Sequence, residues 1–140
     1  MKSNVLRKCT IIFLICILAF AAAACSSDPS EDGSDINTIN VTMNILYPKD
    51  SHKDNVEGYT MQVQENATVM QILEAYSNQE GIEMEVDTSG TPYVTSINEV
   101  KAKGSSGWTY EVSEDTNITK GADEYKVKDG DSIVWRYVTW

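Results

Sequence analysis

From residue 39 the chain alternates. Ile39, Val41, Met43, Ile45 and Tyr47 are separated by Asn40, Thr42, Asn44 and Leu46. A period of two over nine residues predicts a half-buried strand, which Pro48 ends. Residues 49–58 are polar and predict a loop. Tyr59, Met61 and Val63 alternate again, giving a second strand and a hairpin. At Thr68 the period changes. Val69, Ile72, Leu73 and Tyr76 stand at i, i+3, i+4 and i+7, one face of a helix. Thr68 with Gln71 has capping-box spacing, and Gly81 predicts the stop.

Strand patterns return after Gly81, at Ile82, Met84 and Val86. Gly90-Thr91-Pro92 predicts a turn, residues 93–97 a short strand and residues 101–107 a loop. Trp108, Tyr110 and Val112 alternate, and residues 114–121 form a polar connection. Gly130 supplies a positive φ to the turn Lys128-Asp129-Gly130-Asp131. Residues 133–140 are apolar on both faces, which predicts a strand in the middle of its sheet. The order is two strands, one helix, then several strands. It predicts an α+β fold, a β-grasp-like mixed sheet with one main helix.

The start of the chain follows none of these patterns. Lys2, Arg7 and Lys8 precede an apolar run over residues 11–24, which ends in small residues before Cys25. This is the layout of a secretory signal. The run is short for a spanning helix, which needs about 20 apolar residues. Small residues ahead of a Cys resemble the bacterial lipobox, with Ala22 where Leu is more usual. That resemblance implies cleavage before Cys25 and diacylglycerol on its thiol. More than one acyl chain would then anchor the protein stably to the outer face of the cell membrane. Simple secretion with a free thiol, or an uncleaved anchor, is the alternative. Ser26 to Asp35 reads SSDPSEDGSD, too polar to order itself, and predicts a tether reaching roughly 20 Å by residue 37. The expected organisation is therefore a signal at 1–24, lipidated Cys25 with an acidic tether at 25–37, and one domain at 38–140.

Charge narrows the partners. The 140 residues carry a formal charge of −10, with 11 cations and 21 anions. Three of the cations lie in the signal, so the chain from residue 25 stands at −13. So acidic a domain is unsuited to nucleic acid. One His excludes a multi-His metal site, and three Cys, two of them in the signal, exclude a disulfide framework. His52 sits in a polar stretch without a motif and reads as a solvated loop residue. The carboxylate groups Asp123-Glu124, Asp129/Asp131, Glu83/Glu85/Asp87 and Glu114-Asp115 read as turns and solvated faces rather than acid–base pairs. The expectation is a protein without catalytic activity.

Aromatics are the suggestive excess, three Trp and seven Tyr. They fill cores, and they also make platforms for flat ligands. Trp135 and Tyr137 read as core. Trp108 follows the flexible stretch Gly104-Ser105-Ser106-Gly107 and is expected uncovered at the rim, with Trp140 partly exposed.

The blocks Gly90-Thr91-Pro92-Tyr93-Val94-Thr95-Ser96-Ile97, Trp108, Gly121-Ala122-Asp123-Glu124-Tyr125, Lys128-Asp129-Gly130-Asp131 and Val138-Thr139-Trp140 occur in that order. Together they resemble the C-terminal domain of transcobalamin and intrinsic factor, and bacterial lipoproteins with a domain of that kind (the DUF4430 type). The resemblance covers residues 90–140 and, more loosely, the helix near Thr68. It implies a β-rich fold with one main helix, closing over one face of cobalamin. A Trp-led triplet contacts the corrinoid there. The matching positions are Trp108, Thr109 and Tyr110, of which the last two depart from the usual Gln and Leu. Tyr93 matches a further family position, structural or ligand-facing. The carriers' large helical domain, with its His near the cobalt, has no counterpart here. The resemblance therefore implies half a site, with affinity for a corrinoid or similar flat ligand of about micromolar or poorer. Handing the ligand to a transporter is one expected role. A non-catalytic module binding a surface protein or cell-wall polymer is the alternative.

Overall fold

The computed structural model describes residues 37–140. The signal, Cys25 and the tether up to residue 36 lie outside the described residues. The described residues belong to one compact unit. Its single hydrophobic cluster lies wholly within it, as a domain that folds alone requires. No helix among the described residues is long and apolar enough to cross a membrane.

Strands β1 (Thr38–Leu46) and β2 (Val56–Gln64) form the expected antiparallel hairpin. β2 begins inside the stretch read as loop, because Val56 pairs with Ile45. Gly58 makes this possible. It adopts a φ of 68° in a bulge, and its N–H donates to Asn44 Oδ1 at 2.8 Å. Helix α1 (Val69–Glu80) starts and stops where predicted. The Thr68 hydroxyl accepts from the Gln71 N–H, the Gln71 side chain accepts from the Thr68 N–H, and Gly81 closes the helix in the left-handed region.

β3 (Met84–Asp87), β4 (Tyr93–Ile97) and β5 (Val100–Lys101) form a three-stranded antiparallel sheet. β6 (Ser106–Val112) and β7 (Ser132–Thr139) complete a four-stranded sheet in the order β2-β1-β7-β6. Alternation identifies a strand but not its partner, so the expected single sheet is in fact two. The predicted loop at 101–107 is correspondingly shorter. β5 takes its first residue, and β6 takes its last two. Between them Lys103 and Ser106 exchange backbone hydrogen bonds of 2.9 and 3.0 Å around Gly104.

β7 is central, as its two apolar faces predict. It runs parallel to β1, from Thr42 opposite Ser132 to Leu46 opposite Arg136, and antiparallel to β6. The inward residues Val41, Met43, Ile45, Ile133 and Trp135 meet Val69, Ile72 and Leu73 of α1 and Val94 and Ile97 of β4 in one core. Turn carboxylates close the loops. Asp129 accepts from the Asn40 N–H and Asp131 from the Lys128 N–H, each at 2.8 Å. His52 is exposed, as expected.

Candidate functional site

At the β6 edge of the larger sheet lies a cavity of about 330 Å³. Its walls come from four places. The turn into β4 supplies Pro92 and Tyr93, β6 supplies Trp108, Thr109 and Tyr110, and the 118–122 connection supplies Lys120. Trp135 of β7 also lines it. The four candidate residues named from sequence, Tyr93, Trp108, Thr109 and Tyr110, therefore all border one hollow. The volume is at the small end of ligand pockets, which hold roughly 300–1,000 Å³.

Trp108 is not where the sequence suggests. Its side chain is buried, with the residue 7% exposed. Three contacts hold it inward. The indole Nε1 donates to the Val100 carbonyl at 2.8 Å. Tyr47 and Tyr137 meet the ring edge-on, with centroids 5.6 and 5.4 Å away. Satisfied at its only polar atom, the ring belongs to the wall rather than the rim. Tyr137, read as core, is half-buried, and its hydroxyl donates to the Lys101 carbonyl at 3.0 Å.

The accessible ring of the cavity is Tyr93, 52% exposed. Thr109, exposed on the other face of β6, forms part of the rim. Tyr110 is half-buried and committed. Its hydroxyl donates to the Lys120 carbonyl at 2.7 Å, and its ring lies 5.7 Å from Trp135 and 6.0 Å from Tyr125. Burial, with the neighbouring Tyr125, Asp115 and Asp123, pushes its hydroxyl up to about 12. At neutral pH it is a fixed donor that ties the 118–122 connection to β6. Trp135 is buried, and its Nε1 finds no acceptor among the described residues. Trp140 is 72% exposed and lies against Gly107, where a Cβ would stand 3.0 Å from its ring.

Two of the carboxylates named from sequence are occupied locally, while Asp123 Oδ1 is buried without a partner among the described residues. Asp115 accepts from the Tyr125 hydroxyl at 3.0 Å and from the Asn117 N–H at 3.1 Å, and Glu85 pairs with Lys101 at 2.7 Å. Among the described residues no group of three or more His, Cys, Asp and Glu is placed to hold a metal ion.

Comparison with known proteins gives the fold a context. Among curated proteins none matches the chain. Of solved structures, haptocorrin in complex with Cbi is similar over 75% of this chain, with a TM-score of 0.60 and 18% identity. The chain spans about a quarter of the haptocorrin chain, 26%. A protein of Ruminococcus gnavus ATCC 29149, whose description proposes metal binding, is similar over 73% of this chain and 98% of its own. Its TM-score is 0.51, with 14% identity. At these identities the likeness is one of fold. A family profile matches residues 66–139, more than half of the chain, and takes in every wall of the cavity. The chain belongs to that family, described as a domain of unknown function, DUF4430.

Proposed function

We propose that this is a lipid-anchored, extracytoplasmic binding protein that takes one edge of a corrinoid, or of a similar flat ligand, into the cavity beside β6. It carries no catalytic step. Cys25 bears the lipid, the acidic tether lifts the domain from the membrane surface, and the captured ligand passes to an uptake partner. The observation that carries the reading is the convergence of Tyr93, Trp108, Thr109 and Tyr110 on one hollow. The likeness of fold to haptocorrin supports it. Burial of Trp108 changes how the site would work. Tyr93 offers the stacking surface, and Trp108 keeps the wall behind it rigid. A corrinoid occupies more volume than this cavity of about 330 Å³, so most of a bound corrinoid stays in solvent and affinity is about micromolar or weaker.

Titrating cobinamide and cobalamin into residues 35–140, with tryptophan fluorescence followed after inner-filter correction, tests the ligand. Saturable quenching is expected, weakened about tenfold in Tyr93→Ala by loss of the stacked ring. No saturation up to millimolar ligand would end the corrinoid reading. The anchor is tested separately in the full chain. Cys25→Ala should abolish incorporation of labelled lipid, and labelling that persists would exclude Cys25 as the acceptor.

A further inference from the structure

The opposite edge of the four-stranded sheet has features of its own. β2 is hydrogen-bonded to β1, and no strand among the described residues pairs with its outer side. The Glu65 N–H donates to the Asn37 carbonyl at 2.8 Å, which sets the phase of the ladder. With that phase, odd-numbered residues of β2 bond to β1, and Thr60 and Gln62 turn both N–H and C=O outward. Edge strands of this length are usually blunted by Lys, Pro or a bulge. Here the bulge at Gly58 affects only the first half, and residues 59–64 contain no Lys, Arg or Pro.

A groove of about 460 Å³ runs beside this edge, between β2 and α1. Val63, Ala67, Ile72 and Ala75 form an apolar strip in a groove whose other five lining residues, Glu65 among them, are polar. The two alanines leave the room. At the far end of the helix, Tyr59 and Tyr76 pack edge-on at 4.8 Å, and the Tyr59 hydroxyl donates to Glu80 at 3.0 Å. These contacts hold α1 beside the strand while the groove stays open. An outward-facing strand edge next to a helix-walled groove is the arrangement by which sheets accept an added strand. Main-chain bonds supply affinity, and alternate side chains of the added strand fill the groove.

Charge selects the occupant. Between Lys53 and Lys101 there is no Lys or Arg and there are nine carboxylates. Glu57 and Glu65 flank the open edge, Glu74 and Glu80 lie on the helix, and all four are exposed. A second copy would bring the same acids to the same edge, and residues 26–35 of this chain carry four more. Both are repelled, and a cationic segment is attracted. We propose that β2 and α1 form a strand-addition site for an extended, basic segment of a partner protein, with small apolar residues alternating with Lys or Arg. The proposal is independent of what fills the cavity at β6.

The test is an NMR titration of labelled residues 35–140 at low salt with a short peptide of alternating valine and lysine. A peptide of alternating valine and glutamate is the control. Saturable shifts are expected around residues 60–66 and 71–75, with slowed amide exchange at Thr60 and Gln62. The glutamate peptide should bind at least about tenfold more weakly. Gln62→Pro removes an outward N–H and leaves the β1 ladder intact, and Ala75→Leu fills the groove from the helix side. Each should weaken the lysine peptide about tenfold, with the β6 and β7 resonances unmoved. The proposal is overturned by absent saturation, by equal binding of the two peptides, or by shifts spread over the other acidic faces. It is also overturned if Thr60 and Gln62 are already protected in the full chain or in a self-associated form.

Discussion

A tryptophan can serve through its face at a surface or through its edges in a core, and Trp108 is held by its edges. Its Nε1 bond and the two flanking tyrosines bind it to β5, β7 and the residue after β1. Trp108→Phe would remove the indole donor from the Val100 carbonyl and leave a small void beside Tyr47. We expect a loss of about 2–3 kcal/mol, read as a lower urea midpoint for residues 35–140. A variant as stable as the parent would contradict the buried role. The sequence placed Trp108 in the correct strand, but not at the correct depth. The local cue, a Gly-Ser-Ser-Gly loop, describes the backbone before it. The groups that bury it are Val100, eight residues away, and Tyr47 and Tyr137, far along the chain. Local pattern carries no information about them.

Elements were legible where their signals were local. Helix α1 could be bounded to the residue because its capping box and its stop glycine lie within its own stretch. Thr68→Ala should cost about 1 kcal/mol, Thr68→Ser much less, and both are measurable by chemical unfolding. An unchanged stability in the alanine variant would mean that the contacts of residues 69 and 70 with the 122–125 segment fix the helix start by themselves. β5 was not legible, since two residues carry no period. It exists because Asn98 and Glu99, at φ 49° and 68°, turn the chain back on β4 in two residues. Glu99 departs from the usual Gly at the second position. The division into two sheets was hidden for the same reason as the depth of Trp108, because strand partners are chosen at long range.

For the molecule as a whole, the tyrosines set a limit on the alkaline side. Burial raises Tyr47, Tyr76, Tyr110 and Tyr125, and the hydrogen bond to Glu80 raises Tyr59. A hydroxyl that keeps its proton better when folded contributes stability in full below the ordinary tyrosine value, about 10. That contribution is lost as pH climbs toward the folded value, which for Tyr110 is about 12. The melting temperature should therefore hold up to about pH 10 and fall between about pH 10 and 12. Tyr110→Phe should cost about 1 kcal/mol near neutrality and blunt that fall. A profile identical to the parent's would remove Tyr110 from the account.

The parallel pairing of β1 with β7 has a consequence in time. Residue 42 waits for residue 132 before the middle of its sheet exists. A ribosome has to deliver residue 132 before that core can close, and contacts of such long range assemble slowly. Until then residues 38–46 of a nascent chain would lack the neighbour that places them inside the sheet, held only by the hairpin with β2.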